Sequence, residues 1–118
     1  MKYMLLICGE DVAVNDPDSP AYEDESIPVD QWVTEMDSRG IRLLGNRLQP
    51  PADATTVRVR GGEILTSDGP YAETKEWMAG FDIIECENLD EAIEVAAKHP
   101  SAGIGMIEVR PFWPASAQ

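Results

Sequence analysis

The chain is short of positive charge: nine lysines and arginines stand against twenty-two aspartates and glutamates, a net charge of -13. Such a surface repels phosphate backbones and anionic lipid headgroups, so nucleic acid and membrane are not expected as partners. Histidine is almost missing, with His99 alone, and cysteine is confined to Cys8 and Cys86. One histidine and two cysteines without CxxC spacing make no metal-ligand pattern. No metal site is therefore expected, and both thiols read as small hydrophobes within apolar strands. Equally missing is any apolar run near the ~20 residues that cross a bilayer, and Met1 to Cys8 is too short for a signal peptide. A cytoplasmic location is the expectation. No phosphate-binding loop, dinucleotide fingerprint or nucleophile elbow occurs, and no cofactor is expected.

What is present suffices for a globular protein. Of 118 residues, 43% are hydrophobic, enough for one core, and a single domain over residues 1–118 is expected. Eight of the acids (Glu10, Asp11, Asp16, Asp18, Glu23, Asp24, Glu25 and Asp30) fall in one stretch without a lysine or arginine. A solvated loop over residues 9–28 accounts for that run better than a cation site.

Elements follow from periodicity and punctuation. Met4 to Cys8 is continuously apolar, the pattern of a central strand covered on both faces. Trp32, Val33 and Met36 recur at helical spacing over 29–39, with Gly40 as the stop. Ile41 to Leu48 reads as a strand ended by Pro50-Pro51. Thr55–Arg60 and Glu63–Thr66 flank Gly61-Gly62, and paired glycines supply the positive φ of a tight hairpin. Met78 to Cys86 is a further apolar strand. Asn88 is placed to cap a second helix and Glu91 to complete a capping box, with Leu89, Ala92, Ile93, Ala96 and Ala97 as its stripe. The last strand is expected over 104–110.

This order is a split βαβ pattern with a hairpin inserted between its halves, an α+β fold of the ferredoxin-like type. Two helices cover only one face of its sheet, and the apolar first strand demands cover on the other. A partner sheet from a second copy supplies it, so a homodimer is expected.

Several stretches resemble the DGPF-motif branch of the YCII-related family. They are Lys2-Tyr3-Met4-Leu5-Leu6-Ile7, Leu48-Gln49-Pro50, Ala54-Thr55-Thr56-Val57-Arg58 and, most specific, Ser67-Asp68-Gly69-Pro70-Tyr71-Ala72-Glu73-Thr74-Lys75-Glu76. The likeness continues through Leu89-Asp90-Glu91-Ala92, Ala96 to Pro100 and Ile107 to Pro111. Tyr71 stands where the family usually has Phe, which keeps the ring and adds a hydroxyl. The resemblance implies a dimeric α/β barrel without a known cofactor, in which some members carry a His and Asp pair in a cleft.

Topology then brings Glu10, Asp11, Asp68, Tyr71 and His99 to one edge of the sheet. His99 titrates near neutrality and could serve as general base and acid, with Asp68 as its partner. Against this stands an ordinary helix ending at Lys98-His99-Pro100, where a cation suits the macrodipole. Asp68-Gly69-Pro70 is locally a turn, and the family likeness makes it a loop over a pocket, with Gly69, Pro70, Tyr71, Glu73 and Lys75 as binding residues beside Glu10 and Asp11. Glu73 and Lys75 equally suit solvated charges. Trp32, Trp77 and Trp113 suit core or interface packing better than an aromatic ligand site. Two functions stay open: a small-molecule enzyme transferring a proton through His99 and Asp68, isomerase or lyase in kind, and a non-catalytic metabolite-binding or regulatory module.

Overall fold

The computed structural model describes residues 1–10, 29–70 and 76–114. Of the acidic loop expected over 9–28, Gly9 and Glu10 instead continue the first strand and residues 11–28 lie outside the described residues. The chain forms strands β1 (Lys2–Glu10), β2 (Arg42–Arg47), β3 (Thr55–Arg60), β4 (Glu63–Asp68), β5 (Glu76–Glu85) and β6 (Met106–Pro111), with helices α1 (Val29–Ser38), α2 (Leu89–Ala97) and α3 (Ser101–Ile104). A four-stranded antiparallel sheet has the order β2-β5-β1-β6, and β3 and β4 form a separate two-stranded sheet. The fold is α+β, and the apolar β1 is an inner strand, as its composition requires.

Both helices of three turns or so pack on one face of the sheet. Tyr3, Leu5 and Ile84 from the strands meet Trp32, Met36, Ala92, Val95 and Ala96 from the helices, with Ile41 and Cys86, just outside the strands, closing the core. Burying side chains such as Leu5, Met36 and Ile84 contributes roughly 1.5–3 kcal/mol each. The buried stripe of α2 is Ala92, Val95 and Ala96, whereas Leu89 and Ile93 stay about half exposed. Small alanines let α2 approach closely, and the face is turned toward Trp32 rather than toward its bulkiest residues. The Trp32 indole N–H donates to the Val95 carbonyl at 2.9 Å. That carbonyl belongs to the last helical turn, where intrahelical donors run out, so one core side chain both fills space and closes a helix end.

Local signals act largely as expected. Asn88 Oδ1 accepts the Glu91 N–H at 2.9 Å, but the Glu91 carboxylate accepts from the N–H of Glu87, one residue before the cap. Gly61 and Gly62 both have positive φ, 57° and 81°, at the tip of the hairpin. The expected start of the last strand at Ile104 is instead the end of α3, and β6 begins at Met106. Pro100 explains the change: it cannot continue α2, but its fixed φ suits the start of a new turn.

Candidate functional site

Alternation along β5 decides which side chains lie under the helices. The register pairs Leu5 with Asp82 and Ile7 with Gly80, so Asp82 and Gly80 share the helix-covered face with Leu5 and Ile7. On the other side Asp82 pairs with Gly45. Arg42 and Gly45 are three residues apart and would face opposite ways in a regular strand. The pairing of Arg42 with Ile84 and of Leu44 with Ile83 leaves Leu43 as an extra residue. This bulge reverses the alternation and brings Arg42 to the same face as Asp82.

Arg42 Nε lies 2.9 Å from Asp82 Oδ1, its Nη2 donates to the Gly45 carbonyl at 3.2 Å, and its Nη1 lies 3.5 Å from Asp37. A β-carbon on Gly45 would overlap the Asp82 carboxylate, and one on Gly80 would press on the Asn46 carbonyl. Glycine inside a strand thus marks a close approach, here one that makes room for a buried acid. Gly45→Ala should cost about 1–3 kcal/mol, the usual result of forcing extra atoms into a packed site. Urea unfolding of the variant measures it, and an unchanged midpoint would refute the notch.

Burial raises the Asp82 carboxyl above the ordinary aspartate range, Arg42 opposes the rise through its hydrogen bond and charge, and the Asp37 charge adds to it. His99 is held down by burial to about 4. Its Nδ1 accepts the Ser101 N–H at 3.0 Å, an amide at the start of α3 that has no partner within its own helix. The proton of the neutral ring therefore sits on Nε2. Edge-on contact with Trp32, centroids 4.7 Å apart, fixes the ring plane.

These groups meet in one cavity of about 430 Å³. Ile7, Val29, Val33 and Ala79 form its apolar part, and Arg42, Asn46, Arg47, Asp82, His99 and Ser101 bring polar atoms. A second hollow, about 580 Å³, lies by Leu44, Ile83, Phe112 and Trp113, and among the described residues its ionisable side chains are Lys2 and Glu85. The buried ionisable groups line the first. Among the described residues no group of three or more His, Cys, Asp or Glu side chains could hold a metal ion, and no helix is long and apolar enough to cross a membrane.

Other expected site residues are placed differently. Glu10 ends β1 opposite Glu76, at the same end of the sheet as the Ile7 and Gly80 that line the cavity. Asp68 ends β4 in the separate two-stranded sheet, is exposed, and is not among the cavity-lining residues. Gly69 has φ 92°, donates to the Ala54 carbonyl at 2.7 Å and accepts from the Thr56 hydroxyl at 2.7 Å. Both bonds reach across the hairpin, so Asp68 ends a strand and Gly69 is a bend rather than the local turn expected for Asp68-Gly69-Pro70, and Pro70 is exposed. Asp11, Tyr71, Glu73 and Lys75 lie outside the described residues. Of the tryptophans, Trp32 is wholly buried and Trp113 is 77% exposed.

An antiparallel α+β domain with its buried ionisable groups gathered between sheet and helices defines the class. Within it, the profile of the YCII-related domain matches residues 1–116, and the chain belongs to the YCII-related family. It is similar to an uncharacterised protein of Rhizobium meliloti (strain 1021), 38% identical over 108 residues, covering 77% of this chain and 86% of that one.

Proposed function

We propose that this protein is a dimeric, ferredoxin-like member of the DGPF-motif branch that binds a small carbonyl compound in the cavity beneath α1 and moves a proton on it, as an isomerase or lyase does. One observation carries the reading: Asp82, an acid raised above its usual range by burial, shares a cavity with the neutral imidazole of His99. A carboxylate so raised is the stronger base when ionised. Asp82 takes the proton from a carbon next to the carbonyl, and the electron pair moves to the carbonyl oxygen. The Nε2–H of His99 donates to that oxygen, and Asp82 returns the proton to a different carbon. A neutral imidazole suits this donor role, because its Nδ1 lone pair is engaged by Ser101. Asp82 thus takes the part first given to Asp68. Tyr71, Glu73 and Lys75 are proposed contacts to the bound molecule, on the family likeness of their stretch and its place in the sequence just before β5.

The dimer rests on the sheet face away from the helices. It carries Met4, Leu6, Leu44, Phe81, Ile83 and Met106, with Leu44 and Met106 51% and 47% exposed. Strand order β2-β5-β1-β6 supports the ferredoxin-like assignment, and the stretch from Ser67 to Glu76 supports the DGPF branch.

A non-catalytic binding role is the second reading, favoured by the ion pair that Arg42 makes with Asp82. A panel of small keto and enol acids, scored by thermal stabilisation and then by proton–deuterium exchange into the bound compound, separates the two. Asp82→Asn should lower exchange at least about 100-fold while binding persists. Binding without exchange in the parent protein selects the second reading, and no stabilisation by any compound removes both.

A further inference from the structure

The β3–β4 hairpin stands apart from the rest of the molecule. Among the described residues its two strands pair only with each other, and the hydrogen bonds seen for residues 55–70 end within residues 54–70. Isolated two-stranded hairpins are at best marginal in water. Cross-strand register puts Val57, Val59 and Ile64 on one face, with Val59 opposite Ile64. They are 59%, 57% and 74% exposed. Three large aliphatics on one face of a short ribbon describe a surface built to be covered.

We infer that this hairpin is an arm that lies against a second copy of the chain, with the Val57, Val59 and Ile64 face as the contact. The inference rests on the dimer proposed above and names how that dimer is completed. Area argues for it. The four-stranded sheet, with six residues in each of its edge strands, offers a footprint of roughly 20 by 20 Å, about 400 Å². A stable interface buries about 800 Å² on each partner. Each arm adds about 200 Å² by the same dimensions, and each subunit both gives one arm and receives one. The shortfall of the sheet face is then met.

Charge argues for the same occupant. In a chain of net charge -13, residues 55–68 hold Arg58 and Arg60 against Glu63 and Asp68 and so carry no net charge. A neutral ribbon approaches another acidic copy without the repulsion that the remainder of the surface imposes. The arginines share the opposite face with Leu65 and Glu63, so the aliphatic face carries a single charge, Asp68 opposite Thr55, at the end away from the hairpin tip.

Sedimentation velocity across a concentration series tests the arm. The paired substitution Val59→Glu with Ile64→Glu should weaken dimerisation at least about 100-fold while circular dichroism stays that of the parent. Ser67→Glu, on the other face of the ribbon, should leave it unchanged. In the parent protein, amide exchange along β3 and β4 should slow as concentration rises through the dissociation constant, a readout that needs no variant. A parent dimer that the paired substitution leaves intact, with concentration-independent exchange in the hairpin, overturns the arm and spares the dimer. A parent that is monomeric at every concentration overturns both, as does hairpin protection supplied only by a different protein.

Discussion

Arg42→Leu should destabilise the protein by about 3–5 kcal/mol at neutral pH, the cost of stranding a buried charge without its partner. Side-chain exposures of 18% for Arg42 and 7% for Asp82 place this pair away from the screening that makes surface ion pairs weak. Typical domains unfold for only ~5–15 kcal/mol, so the variant should lose a large share of its margin. Acid should restore part of it. The folded-state Asp82 carboxyl already lies above its ordinary value of 3.8, and losing Arg42 removes both pulls that oppose the rise. Between the unfolded and folded values the native form then holds more protons, so unfolding free energy falls as pH rises. Urea titrations of parent and variant at pH 5 and pH 8 should show the smaller difference at pH 5. Equal losses at both would mean that Asp82 is not the group left stranded, and Arg42→Leu combined with Asp82→Asn should recover stability at pH 8.

His99 gives the second large effect, with the opposite slope. Its folded-state value of about 4 lies below the ordinary 6.5, so the unfolded chain takes up a proton that the native protein refuses. Stability from this source is complete above pH 6.5 and drains away as pH falls to about 4. A change of this size corresponds to roughly 3 kcal/mol. His99→Asn keeps an acceptor for the Ser101 amide, does not titrate, and loses the ring contact with Trp32 equally at every pH. The variant should be less stable than the parent near neutrality, with the gap narrowing by about 3 kcal/mol toward pH 4. Glu35, held below its usual range by Lys98 and Arg39, is common to both proteins and cancels. A gap that stays constant from pH 7 to pH 4 would show that the imidazole is not shut away from protons.

The architecture was legible where one residue type admits one local geometry. Gly61-Gly62 forced the hairpin, Asn88 announced α2, and the run Met4 to Cys8 marked an inner strand. The buried acid that lines the same cavity as His99 was not legible. Asp82 sits in the run Phe81-Asp82-Ile83-Ile84, where an acid in a strand suggests a solvent-facing position. It is buried because Arg42 reaches it, and Arg42 reaches it only through the bulge at Leu43, which no alternation pattern reveals. Two signals did point there: Gly45 and Gly80 interrupt strands in which glycine is disfavoured, and each borders the buried carboxylate or its neighbouring backbone. Asp68 drew attention instead because its motif is distinctive, yet distinctiveness of sequence and nearness to His99 are separate properties. The short helix α3 was hidden by its four-residue length, too brief for any periodicity.

Hollowness in this fold comes from omission. Gly45 and Gly80 leave room for the Asp82 carboxylate and the Asn46 backbone, and Ala79 lines the remaining hollow with no more than a methyl group. Admission by size is thereby uncoupled from reactivity: Ala79 could grow by a methyl or two and turn away longer guests, while His99, Asp82 and Arg42 stayed where they are. Descendants of such a scaffold have a short route to a different cavity size, one that leaves the buried ionisable groups alone.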